Sequence, residues 1–173
     1  MQTHPLEVFH VQTFPAGNFP VVPVVPVVQA ATVEVTWSDP LQFRDIRSTD
    51  SGQQRFQSRV MTELETQFRD ETVARLETGQ TLTIEVADVD LAGEIEYFHA
   101  NFPFGLRVIR NVDFPQMTLS YELRDADGKL VKSGTEQLAD LGFRFGLLLP
   151  ADRSALRYEK QMIKEWADKS LVQ

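Results

Sequence analysis

Asp88, Asp90 and Glu94 are the side chains whose types and spacing come closest to a chemical site in this chain. They lie in the run Asp88-Val-Asp-Leu-Ala-Gly-Glu94. Hard cations need several oxygen ligands, and alternating acids in a turning loop can supply them. Against a calcium-binding loop, positions one, three and six match through Asp88, Asp90 and Gly93. Position five is Ala92 and position twelve is His99, where an oxygen ligand and a bidentate glutamate are wanted. Two ligands of such a loop are therefore missing. Acid–base work by Asp90 and Glu94 would need one carboxyl with a raised pKa in a cleft. The spacing alone does not put the two side by side. A structural reading accounts for the same residues: Asp88 marks a bulge, Asp90 caps a strand end and Gly93 makes a turn.

Two aromatic stretches are the other candidates. Phe98, Phe102 and Phe104 sit with Tyr97 and His99 in one segment, and Phe143, Arg144 and Phe145 in another. Aromatics beside arginine are the chemistry of interface hot spots, so these six residues are candidates for an interaction surface. The competing reading makes them an edge strand or a plug under a sheet. Arg157 could grip a carboxylate or phosphate bidentately, but such a residue more often makes a surface ion pair on its own helix.

Several classes of chemistry are excluded by what is missing. Without cysteine there is no disulfide scaffold, thiol nucleophile, zinc–thiolate site or lipidated N-terminal cysteine. Of three histidines, His4 and His10 lie in the first ten residues, which leaves His99 for the body. No serine stands in a G-x-S-x-G elbow. A net charge of −8 argues against nucleic acid as a partner. No catalytic residues and no cofactor are expected.

The elements that must position these residues follow from hydrophobic period. Residues 1–31 stand apart: they contain no Lys or Arg and five of the nine prolines. The run Phe19-Pro-Val-Val-Pro-Val-Val-Pro-Val-Val28 has a three-residue repeat suited to polyproline II. It is either a secretory signal, with Val28 and Ala30 preceding a cleavage point, or a retained arm that docks on a neighbour. It is too short to span a membrane. Residues 32–173 form a single domain, long enough to fold without a staple.

Within that domain Val33, Val35 and Trp37 alternate as a strand. A helix is expected over 53–76, with Phe56, Val60, Leu64 and Phe68 every four residues and Val73 and Leu76 continuing the stripe. Leu82, Ile84 and Val86 then share one face of a second strand. Val89 and Leu91 have the opposite parity, which requires a bulge near Ala87-Asp88. Residues 93–105 read as a loop and 106–110 as a third strand. Met117 to Leu123 and Leu130 to Leu138 are strands joined by an Asp127-Gly128 turn. A last helix is expected over 152–171. The order β-α-β-β-β-β-α predicts an α+β two-layer sandwich, with a mainly antiparallel five-stranded sheet covered by both helices.

Three segments together resemble the bacterial family of unknown function DUF3016. They are Asp88 to Glu94, the strand Phe114-Pro-Gln-Met-Thr-Leu-Ser-Tyr-Glu-Leu123, and Leu156-Arg-Tyr-Glu-Lys160 with Trp166. The similarity spans about Val33 to Leu171. It implies an exported protein, periplasmic or secreted, and no activity to carry over. The function expected from all of this is a non-enzymatic binding or protein-interaction module, with another envelope protein or further copies of itself as partner. A divalent-cation protein or metal-dependent hydrolase using Asp88, Asp90 and Glu94, and a subunit assembling through its Val/Pro arm, are the alternatives.

Overall fold

Strict alternation makes Thr32–Trp37 a strand (β1), and a stripe every four residues makes Gln53–Val73 a helix (α1) that carries the chain back to Thr81–Asp90 (β2). The computed structural model describes residues 29–49, 52–97, 105–145 and 154–171. The expected signal or docking arm lies outside them, apart from its last residues. Because α1 forms a crossover, β1 and β2 run parallel, with Val33 beside Leu82 and Trp37 beside Val86. Gln116–Arg124 (β5) pairs antiparallel with β2, and Leu130–Ala139 (β6) returns on β5 through the turn at Gly128.

The expected five-stranded sheet is corrected by this topology. The main sheet has four strands in the order β1-β2-β5-β6. Leu106–Val108 (β4) was expected to join it and instead pairs with Glu94–Glu96 (β3), inside the stretch read as a loop. β2 and β5 each have both edges occupied, so no central place is open, and β4 adds to neither outer strand. The two short segments satisfy each other's backbone groups in a separate ribbon. Gly93 opens that ribbon with φ +86°, and a Cβ there would stand 2.7 Å from the Val108 carbonyl oxygen, so only glycine fits.

The bulge stands where the change of parity demands it, with the register shifting between Val86 and Asp88. Val86 and Val89 are thereby both buried. Both helices cover this face. On α1 the buried stripe is Val60, Leu64, Phe68 and Thr72. Thr72 takes the place expected for Val73, and its hydroxyl donates to the Phe68 carbonyl at 2.7 Å; Val73 is 45% exposed. The second helix, Arg157–Ser170 (α2), buries Met162, Ile163 and Trp166. The Trp166 indole meets Phe68 and Tyr121 edge-on at 5.7 and 5.6 Å, tying both helices to β5. The opposite sheet face carries Glu34, Thr36, Thr83, Glu85, Ser120 and Glu122, the solvated side of a half-covered sheet. Among the described residues no helix is long and apolar enough to cross a membrane.

Candidate functional site

The acidic run folds into the end of β2 and the turn that follows, and most of its polar groups are engaged. The Arg44 backbone N–H donates to Asp88 Oδ1 at 2.8 Å, and its guanidinium reaches Asp88 Oδ2 at 3.8 Å and Asp90 Oδ2 at 3.5 Å. The Gln116 amide donates to the same Asp90 oxygen at 3.4 Å. Burial raises the Asp90 pKa, Arg44 pulls it back, and the neighbouring Asp45 and Asp88 charges add to the rise. Glu94 stands exposed on β3. Among the described residues no three His, Cys, Asp or Glu side chains converge as metal ligands.

A residue outside the run organises its far end. Asp45 forms a bridge beside Asp90: its N–H donates to the Val89 carbonyl at 3.1 Å and its carbonyl accepts from Leu91 at 3.4 Å. Its carboxylate, largely buried, takes both terminal nitrogens of Arg107 from β4, at 2.7 and 3.3 Å. Arg107 also donates to the Gly93 carbonyl at 2.7 Å and the Arg47 carbonyl at 3.3 Å. Its fork is thus consumed in tying two loops, that of Asp45 and Arg47 and the Gly93 turn, to β4. Across the same turn the Ala92 N–H donates to Glu159 Oε1 at 2.7 Å. Glu159 is 1% exposed, and its Oε2 has no hydrogen-bond partner among the described residues. Burial pushes its carboxyl up from the ordinary value, while the Ala92 bond and the Arg107 and Arg157 charges oppose the rise.

This junction borders a cavity of about 650 Å3 between α1, the start of α2, the β2–β3 turn and β4. Phe56, Val60, Leu91, Leu106 and Leu156 form apolar walls; Arg47, Arg59, Arg107 and Glu159 contribute the charged groups. A shallower depression of about 290 Å3 adjoins it, sharing Ser48, Phe56 and Arg59 and adding Arg55. Glu63 also lines the cavity, and Lys160 balances it at 3.6 Å.

The interaction candidates separate. Phe98, Phe102 and Phe104 lie outside the described residues. Phe143 is 1% exposed and packs edge-on against Tyr158, ring centroids 4.7 Å apart, in a small second core with Ala92. Arg144 donates to Asn111 Oδ1 at 2.9 Å, and Phe145 is 82% exposed. Arg157 lies over the Tyr158 ring at 4.4 Å and donates to its hydroxyl and to the Ser154 carbonyl, so it serves its own helix. Asp45, Arg107 and Glu159 were not singled out by sequence reasoning. Arg55 and Arg59 were not singled out either, although two like charges four apart at a helix start with no acid in the first turn were visible in the sequence.

Comparison with known proteins agrees with the segments that suggested a family. No curated protein matches the chain. Among solved structures it is similar to a PelC dodecamer from Paraburkholderia phytofirmans, at 13% identity and a TM-score of 0.36, covering 84% of this chain and 88% of that one. It is also similar to a minor lipoprotein from Acinetobacter baumannii, at 9% identity and a TM-score of 0.28, covering 83% and 90%. The family of unknown function DUF3016 matches residues 31–169, nearly all of the described fold, and the chain belongs to that family.

Proposed function

We propose that this is a non-catalytic binding module of the bacterial envelope, and that its ligand occupies the cavity beside the Asp45–Arg107 pair. One observation carries the reading: a concavity of about 650 Å3 with apolar walls and a few converging polar groups. Small-ligand sites have this size and make-up. Arg107 and Asp45 satisfy each other at its edge, so the ion pair braces the wall of the cavity. A periplasmic or secreted location is the companion proposal, motivated by the Val/Pro run ending in Val28-Gln29-Ala30. Loss of mass up to Ala30 or Ala31 in protein recovered from the envelope would support it.

The test of the binding role is native mass spectrometry of the full chain purified from an envelope fraction, beside a Leu106→Trp variant whose indole fills the cavity. A small molecule carried by the wild type and lost from the variant is the expected result. Equal retention by both would sink the cavity as the site. A specific turnover abolished by Asp90→Asn would overturn the non-catalytic assignment.

A further inference from the structure

Among the described residues six arginines are matched to acids, while Arg144 is held by Asn111 and Arg157 by Tyr158 and the Ser154 carbonyl. Arg44, Arg69, Arg75, Arg107, Arg110 and Arg124 each face a carboxylate. Arg47, Arg55 and Arg59 are different: among the described residues none has a carboxylate within ion-pair distance, although the chain carries 25 acids against 17 bases. All three gather at the cavity and the depression adjoining it. Arg55 and Arg59 are also costly where they stand. Like charges four apart on a helix repel. The amino-terminal end of α1 already carries partial positive charge, and its first turn contains no acid to offset it.

From this arrangement we propose that the cavity takes an amphipathic anion, its acidic head group at Arg47, Arg55 and Arg59 and its apolar body between Phe56, Val60, Leu106 and Leu156. The proposal rests on the cavity being the binding site. Each part of the pocket has a role in it. The Arg59 guanidinium lies over the Phe56 ring, 5.6 Å from the centroid, so the charge is held against the apolar wall with its N–H groups still available. Arg107 does not compete for the ligand, because Asp45 and two carbonyls consume it. By gripping the Arg47 carbonyl it instead fixes the backbone from which Arg47 projects. Lys160 neutralises Glu63, which would otherwise repel an anion. At the α2 side, the unpartnered Oε2 of buried Glu159 gives the pocket a polar group distinct from the arginine rim. Burial raises the pKa of that carboxyl, against the Ala92 hydrogen bond and the Arg107 and Arg157 charges.

Calorimetry on the full chain with decanoate, decyl phosphate and decanol tests the assignment. The expected result is that at least one anion binds about tenfold or more tightly than the alcohol, as a charge-assisted hydrogen bond warrants. A comparable loss is expected in Arg55→Gln/Arg59→Gln, whose exposed changes leave the fold intact. The two anions distinguish a carboxylate head from a phosphate head. Equal binding of alcohol and anions, unaffected by the arginine changes but blocked by Leu106→Trp, would overturn the anionic class and leave the cavity as the site. No binding of any probe would overturn the proposal. The cavity reading falls as well if Leu106→Trp also retains whatever molecule the wild type carries.

Discussion

Phe68 and Glu159 are both fully buried on helices of the same layer, and their surroundings could hardly differ more. Phe68 sits among Leu64, Leu82, Tyr121 and Trp166 in a continuous apolar core, where every neighbour excludes water from every other. Glu159 sits at a junction of short segments held by Asp45, Arg107 and the Ala92 backbone. The first region is stabilised by area and close packing. The second keeps its shape through directed hydrogen bonds and ion pairs, and stays open enough to hold a cavity. The lesson is that a small domain can concentrate its stability in one layer and leave an adjoining corner polar.

The strongest attempt to break that contrast is Phe68→Ala. Removing a buried ring should cost about 3–5 kcal/mol, the lost transfer energy plus the void left behind. Urea denaturation would show a large fall in midpoint, with ligand affinity of the remaining folded protein unchanged. A cost below about 1 kcal/mol would mean that the layer between α1 and β5 is not the stability centre.

Asp45→Asn tests the corner. It keeps the shape but leaves the Arg107 guanidinium without its anion, in a place where the two side chains are only 20% and 11% exposed. Breaking such a pair by removing one partner should cost about 2–3 kcal/mol, somewhat less than for a fully dry pair. Asp88→Asn is the control: Arg44 is 60% exposed, so that ion pair contributes under about 1 kcal/mol. Equal effects from the two changes would show that Asp45 is no special organiser.

The same contrast explains what was legible in the sequence. Val33 to Trp37, the α1 stripe from Phe56 to Phe68, and the β5–β6 hairpin carry long periods, and those periods dictated their structures. Even the parity slip between Val86 and Val89 announced its bulge. The three-residue strands Glu94–Glu96 and Leu106–Val108 are too short to display a period, so their ribbon went unread and the sheet was given one strand too many. Asp45, Arg107 and Glu159 come from distant parts of the chain and meet only through the topology. The Asp88 to Glu94 run displays its acids together in the sequence. Its partner cannot be read beside it, because Arg44, which engages Asp88 and Asp90, precedes it by some forty residues.

Glu159→Gln asks whether the buried carboxyl is tolerated for a reason other than stability. Its folded pKa lies above the ordinary 4.5, so between the unfolded and folded values the unfolded chain has lost a proton that the native state retains. Native stability therefore falls as pH rises through that window and stays reduced above it. Glutamine keeps an oxygen for the Ala92 N–H and does not titrate. The variant should match the wild type at pH 4 and exceed it by about 1–3 kcal/mol at pH 8, the scale of an unmet buried polar group. A difference independent of pH would show that the Glu159 carboxyl has the same pKa folded and unfolded, so that burial does not raise it.

The smallest effect expected is also the one that bears most directly on function. Arg55→Gln relieves repulsion with Arg59 four residues on and removes a positive charge from the start of α1. Both changes favour the helix, by about 0.2–0.5 kcal/mol together. A thermal melt at low salt should rise slightly, and the gain should fade as salt screens the charges. If the same variant binds decanoate or decyl phosphate more weakly, one side chain will have been shown to lower the stability of its helix while strengthening the grip on an anion. That opposition is what separates a site residue from a packing residue, and no substitution in the Phe68 layer should reproduce it.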